Sequence, residues 1–291
     1  AVPGAAGFVL VTGNQLGALH MDYMLLTRRE LGLMPPRPAV VKSIVTTDLQ
    51  ARIAAEYGAT CFECLTGFKW IADLMRQFES GSGPLAGYDF VYGTEESYGH
   101  LIENEVRDKD GISAAALTAE MTLYWRSKGK SLLERLDEIF VKHGFFEERG
   151  VNKYFEGPTG MDTMRGIMEG YRRSQPSSLG GIPVSWIRDV KTGLAWDAAA
   201  GPTSARKVDL PASDVIQWRL ADGTMVTVRP SGTEPKIKYY VLCRTEVALG
   251  AGAGAGQAGA GLAVAGLAGA RKASAAKAAA IEAEIRKAVG A

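Results

Sequence analysis

Hydrophobic and polar positions follow two different periods along this chain. Over residues 15–30 apolar side chains recur at helical spacing, with Leu16, Leu19, Tyr23 and Leu26 on one face, and the prolines of 35–38 break the run. Residues 39–46 form a β-branched apolar run, the mark of a buried strand. Thr47 or Asp48 stands where a helix over 49–57 needs its cap, and Gly58 closes that helix. A strand over 61–65 follows, then the turn Thr66-Gly67-Phe68-Lys69, a helix over 70–79, a loop at 81–84 and a strand over 88–92. Two more helices are predicted over 112–127 and 132–143. Strand and helix alternate with short connections, which predicts an α/β domain of three layers around a mixed, mostly parallel sheet. In such sheets ligands bind beyond the carboxyl ends of the strands. The Thr66 turn and the segment after Tyr92 both lie there.

Near residue 145 the pattern changes. A helix is predicted over 161–172, then separated strands over 184–187, 215–220, 225–229 and 237–243, with Asp222-Gly223 as a hairpin turn, and a last helix over 273–289. This is the pattern of a smaller α+β domain with an antiparallel sheet. The expected division is therefore 1–144 and 145–291. Residues 247–270 carry no charge and are long enough to span a membrane, yet they are mostly Ala and Gly. They read as a flexible low-complexity linker.

Composition narrows the class. A chain of 291 residues can bury two cores, and 46% hydrophobic with 22% charged residues is ordinary for a globular protein. A formal net charge of +1 offers nothing to nucleic acid or a membrane surface. Cys61 and Cys64 have C-x-x-C spacing, open to a redox or zinc reading, but no second pair or nearby histidine completes a metal site. Residues 59–65 read instead as a strand with buried thiols, and three cysteines suit a reducing cytoplasm. No basic stretch precedes the apolar run 8–11, so a signal peptide is not expected, and the start reads as a cut through a longer protein.

Two segments carry chemistry. In Arg229-Pro230-Ser231-Gly232-Thr233, between two strand-like runs, a guanidinium, two hydroxyls and a glycine amide fall within five positions. Such a turn suits a cluster of anionic oxygens, or it is a polar hairpin loop. In Gly93-Thr94-Glu95-Glu96-Ser97-Tyr98-Gly99-His100, paired carboxylates serve as general acid and base, as metal ligands or as acceptors for hydroxyls. Downstream lies Arg107-Asp108-Lys109-Asp110-Gly111.

Together these segments resemble the α-D-phosphohexomutases, the phosphoglucomutase/phosphomannomutase family. The resemblance implies that Glu95 and Ser97 bind two adjacent sugar hydroxyls, that Glu96 supports them and that Gly99 turns the loop. Lys109 lies in a segment similar to the family's Arg-x-Lys-Asp-Gly and becomes a proton-transfer or charge-stabilising group. His100 is a second candidate for that role, although Tyr98 adds one residue to the family's spacing. Thr66 to Lys69 resembles a Thr-Gly-x-Lys turn in which Gly67 lines the active site and Lys69 meets a phosphate. Arg229, Ser231 and Thr233, with the Gly232 amide, would hold the non-reacting phosphate. The match is to the third and fourth of four domains. A Ser-His-Asn-Pro type segment for the phosphoserine and an Asp-x-Asp-x-Asp-Arg segment for magnesium are both missing, and Gly13-Asn14-Gln15-Leu16-Gly17 resembles the stretch just past the metal loop in relatives.

The implied activity belongs to the full-length protein. It is an intramolecular phosphotransferase interconverting hexose 1-phosphate and hexose 6-phosphate, glucose first, through a phosphoserine and a bisphosphorylated sugar. Magnesium (Mg2+) would be held by the missing amino-terminal half, with no metal ligand in this chain, and glucose 1,6-bisphosphate would activate. Expected partners are hexose phosphates and the missing amino-terminal domains, not nucleic acid or a membrane, in the cytoplasm. The rival is a non-catalytic sugar-phosphate-binding module or half of a split protein. Mannose, pentose and amino-sugar phosphates are the alternative substrates.

Overall fold

The computed structural model describes residues 2–4, 7–157, 159–232, 234–248 and 257–290. The chain divides into two units, Ala1–His143 and Gly144–Ala291, so the second is not the smaller one.

The first unit runs β1 (Val2–Gly4), β2 (Gly7–Val9), α1 (Gly13–Glu30), β3 (Pro38–Ser43), α2 (Leu49–Glu56), β4 (Thr60–Cys64), α3 (Phe68–Glu79), β5 (Asp89–Glu95), β6 (Gly99–Leu101), α4 (Gly111–Ser127) and α5 (Leu132–His143). β1 and β2 pair as a short antiparallel ribbon. The main sheet has the order β4-β3-β5-β6, parallel except for β6. Every residue of the central β3 is buried, which is why its sequence shows no alternation. Ala39 and Val41 face α3 through Ile71, Met75 and Phe78. The opposite face carries Val40 and Tyr92, and α1 reaches it through His20. Helices α1 and α5 are joined by Arg135, whose Nε and Nη2 donate to the Asp22 carboxylate at 2.8 and 2.7 Å.

Two readings that left alternatives open are narrowed here. Asp48 does not cap α2: it pairs with the buried Lys42 ammonium at 3.0 Å, and Thr47 Oγ1 accepts from Leu49 N at 3.3 Å instead. Burial opposes the charge on Lys42, but Glu63 and Asp48 outweigh it and its pKa is raised. Cys61 and Cys64 lie three apart on one strand and so point to opposite faces. Burial pushes each thiol up to about 12, which suits inert side chains rather than a redox pair.

The second unit runs β7 (Phe145–Tyr154), α6 (Gly160–Arg173), β8 (Ser178–Leu179), β9 (Ile182–Asp189), β10 (Leu194–Asp197), β11 (Arg206–Lys207), β12 (Ile216–Leu220), β13 (Met225–Pro230), β14 (Lys236–Thr245) and α7 (Gln257–Ala288). Its eight-stranded antiparallel sheet has the order β11-β10-β9-β12-β13-β14-β7, with β8 on β9. The sequence pattern assigns no element to 145–154, yet β7 pairs with β14 along its whole length. Val151, Trp218, Val226 and Val241 share one core with Met164 and Met168 of α6 and with Ala278, Ile281 and Ile285 of α7.

The linker expected over 247–270 is helical from Gln257 onward. Leu267, Ala270, Ser274, Ala278, Ile281 and Ile285 are buried at helical spacing, so small residues here make a seam against the sheet. Residues 249–256 of that stretch lie outside the described residues. Among the described residues no helix is long and apolar enough to cross a membrane.

Candidate functional site

In the first unit the segments after β3, β4 and β5 meet at the carboxyl edge of the sheet. Glu95, the last residue of β5, accepts a hydrogen bond from Gly67 N at 2.5 Å through Oε1. Gly67 has φ +112°, a conformation that a side chain would strain, so the Thr66 turn depends on glycine there. Glu96 turns back into the sheet, where its Oε2 accepts from Ser43 Oγ at 3.3 Å. Ser97 stands exposed at the tip. Tyr98 takes the left-handed region with φ 63°, and its hydroxyl donates to Val11 O at 3.0 Å. Gly99 lies against the Phe68 ring, where a Cβ would come within 2.5 Å.

The two candidate proton-transfer groups differ in setting. Lys109 is 61% exposed, its ammonium 3.0 Å from Asp108 Oδ1 and 5.6 Å from the centre of the Phe68 ring. Phe68 therefore adjoins Gly67, Gly99 and Lys109 together. Asp110 N donates to His100 O at 3.0 Å, and the Asp110 carboxylate caps α4. His100 is buried: its Nδ1 lies 2.7 Å from the Tyr92 hydroxyl and 3.3 Å from Thr94 Oγ1. Burial brings its pKa down to about 4, so it is neutral at pH 7. His20 packs edge-on against it with ring centres 4.9 Å apart, bonds with Thr118 Oγ1 at 2.8 Å, and is lowered to about 3 by burial and then by His100. His20 is not among the residues that the sequence pattern singles out; the one available sign was a histidine inside the apolar run Leu19-His20-Met21. Lys69 is exposed, 5.0 Å from the Trp70 ring, and lines a hollow of about 460 Å³ with Arg76, Glu79 and Arg107.

In the second unit the Arg229 loop joins β13 to β14. Arg229 stands opposite Lys238, and Ser231 N donates to Lys236 O at 2.7 Å to close the turn. Arg229 and Ser231 are half-buried and Gly232 is exposed, while Thr233 lies outside the described residues. The connection from β7 to α6 braces the loop: Phe155 N donates to Pro235 O at 2.8 Å, and a Cβ on Gly160 would meet Phe155 O at 2.6 Å and Pro235 at 3.0 Å.

A family model described as phosphoglucomutase/phosphomannomutase, alpha/beta/alpha domain III, matches residues 12–143. Residues 12–143 are a domain III of the phosphoglucomutase/phosphomannomutase family. Among curated proteins, the phosphoglucomutase of Staphylococcus haemolyticus is 33% identical over 229 residues, which are 79% of this chain and 39% of that protein. A Staphylococcus epidermidis phosphoglucomutase is 34% identical over 229 residues, 79% of this chain and 40% of the relative. The chain thus spans about two fifths of the curated relatives it matches. The solved pp63/parafusin (phosphoglucomutase) from Paramecium, in its open form, aligns with a TM-score of 0.57 at 18% identity, covering 98% of this chain and 43% of that one. This likeness shows the shared fold.

Within domain III the structure gathers Glu95, Ser97, Gly67 and Lys109 around one turn and buries His100 beneath it. Among the described residues no group of three or more His, Cys, Asp or Glu is placed to hold a metal ion. The family resemblance assigns magnesium to the amino-terminal half of the relatives and not to these residues.

Proposed function

We propose that the full-length protein is a phosphohexomutase interconverting hexose 1-phosphate and hexose 6-phosphate, with glucose as the first-choice sugar, through a phosphoserine and a bisphosphorylated sugar. The observation that carries this reading is the Glu95 carboxylate fixed on the Gly67 amide, beside an exposed Ser97, at the carboxyl edge of the domain III sheet. One carboxylate oxygen is held by backbone, leaving the other to accept from a ring hydroxyl. Ser97 supplies a second, adjacent contact. A bisphosphorylated sugar must present each phosphate in turn, and a few hydroxyl contacts serve both orientations. Lys109 neutralises charge near the reacting phosphate. His100, neutral and buried, supports the loop rather than moving protons. Lys69 meets a phosphate at the Thr66 turn.

In the second unit, read as the family's fourth domain, Arg229, Ser231, Gly232 and Thr233 cradle the phosphate that is not reacting. Magnesium and the phosphoserine belong to the relatives' length that this chain does not span, glucose 1,6-bisphosphate primes the cycle, and the protein works in the cytoplasm. Mannose, pentose or amino-sugar phosphates would use the same contacts. A non-catalytic sugar-phosphate-binding module is the second reading, and it uses the same sugar and phosphate contacts.

The test is calorimetric titration of Glu95→Gln. Affinity for glucose 6-phosphate should fall by about 1.5–3 kcal/mol, as for a lost charge-assisted hydrogen bond, with inorganic phosphate unaffected. Equal loss for both ligands would remove the sugar-binding role.

A further inference from the structure

We propose that the start of α1 is the seat that sets the Glu95 loop, with Gly13 and Tyr98 as positioning residues for Glu95 and Ser97. The inference rests on the reading of that loop as the sugar-binding loop and adds what holds it in register.

Gly13 is the decisive contact. A Cβ at this position would fall 2.0 Å from Glu96 O and 2.7 Å from Tyr98 N, both backbone atoms that no rotamer change can move aside. Ordinary carbon–oxygen contact lies above 3 Å, so any side chain here displaces the loop by about 1 Å, a shift of the size that spoils a tuned binding geometry. The backbone of Gly13 does not itself call for glycine, since it is not among the positive-φ residues. Glycine also disfavours a helix, by about 1 kcal/mol relative to Ala in an interior position. The close approach is what explains it.

The seat is rigid. Thr12 Oγ1 accepts from Gln15 N at 3.2 Å while Gln15 Oε1 accepts from Thr12 N at 3.0 Å, a reciprocal cap that fixes the first turn of α1. Asn14, buried, accepts from Thr47 N at 3.0 Å and ties that turn to the segment between β3 and α2. Tyr98 supplies a second hold. It is the one non-glycine with positive φ among the described residues, a conformation that costs about 1–2 kcal/mol, and its hydroxyl binds Val11 O one residue before the cap. Tyr98 is 52% exposed, so the hydroxyl contact, rather than core packing, accounts for the orientation of its side chain. Glu95 on Gly67, Glu96 on Ser43 and Gly99 on Phe68 close the remaining sides. The sugar-facing groups therefore take their height above the sheet from the end of α1.

The test compares wild type, Gly13→Ala, Tyr98→Phe and Glu95→Gln in the full chain, titrated with glucose 6-phosphate and separately with inorganic phosphate, with backbone amide resonances recorded. Gly13→Ala should weaken glucose 6-phosphate about tenfold or more. Tyr98→Phe should weaken it about threefold. Phosphate affinity should stay within about twofold, since the Arg229 hairpin lies in the other unit. In both variants the amide shifts should concentrate at residues 95–99. Glu95→Gln weak with Gly13→Ala and Tyr98→Phe both unchanged overturns the positioning role and leaves the sugar-binding reading intact. If Glu95→Gln binds like wild type, the sugar-binding reading fails, and the amide shifts alone decide whether α1 seats the loop: shifts at 95–99 keep the inference, and their absence ends it. Should Gly13→Ala fail to fold, Tyr98→Phe, altered at an exposed side chain, carries the test.

Discussion

A guanidinium at a hairpin turn and a pair of buried imidazoles answer to opposite physics. Arg229 is half-buried beside Ser231, and a bound phosphate would gain a charge-assisted contact from it. Arg229→Ala is therefore expected to weaken inorganic phosphate by about 1.5–3 kcal/mol in calorimetric titration, and unchanged affinity would remove Arg229 from the cradle. His20 and His100 instead lose their charge to burial, with pKa values of about 3 and about 4 against an ordinary 6.5. The unfolded chain takes up protons below pH 6.5 that the folded chain refuses. Stability is complete above that value and falls as pH drops from 6.5 towards 4. At pH 5 the loss reaches about 2 kcal/mol for each imidazole. Urea midpoints at pH 7.5 and pH 5 measure it, and the His20→Gln, His100→Asn double variant should flatten the dependence. An undiminished slope in that variant would mean that other groups carry the acid sensitivity.

Among the elements, α7 shows what burial can do without large side chains. Ile281 is wholly buried and packs at Gly180, where a Cβ would lie 2.6 Å from its side chain. Ile281→Ala is expected to cost about 2–4 kcal/mol in urea unfolding, and a loss under about 1 kcal/mol would mean that α7 is loosely docked. Excising residues 257–270 should also destabilise the second unit, because Leu267 and Ala270 lie in the same seam. This helix marks the limit of what the sequence makes legible. Its first half has no contrast between apolar and polar residues, so periodicity carries no signal until Lys277, Ile281 and Ile285 supply one. The parallel half reads well for the opposite reason: β3 is buried on both faces, and apart from Lys42 and Ser43 it shows no polar alternation. The Glu95 loop and the Arg229 loop are legible as dense clusters of functional groups. The contact of Gly13 with Glu96 O is not, because a close approach between residues 83 positions apart leaves no mark on either segment.

At the scale of the molecule, the proposed function separates binding from turnover. The chain spans about two fifths of its curated relatives, and its sequence has no phosphoserine-type segment. A phosphate cradle and a sugar clamp stabilise substrate and transition state alike unless a nucleophile and neutralising charge meet the transferring phosphoryl group, and uniform binding gives no acceleration. The isolated chain is therefore expected to bind hexose phosphates weakly and to show no mutase turnover. Supplying in trans the remaining length of a phosphoglucomutase relative should restore some activity, because interfaces between domains of one chain are often modest in area. The deciding measurement is a coupled assay with magnesium and glucose 1,6-bisphosphate on chain purified from a host lacking its own mutase. Glucose 6-phosphate formed from glucose 1-phosphate above a heat-inactivated control would show that residues of this chain complete the transfer by themselves, and the division between binding here and catalysis elsewhere would have to be abandoned.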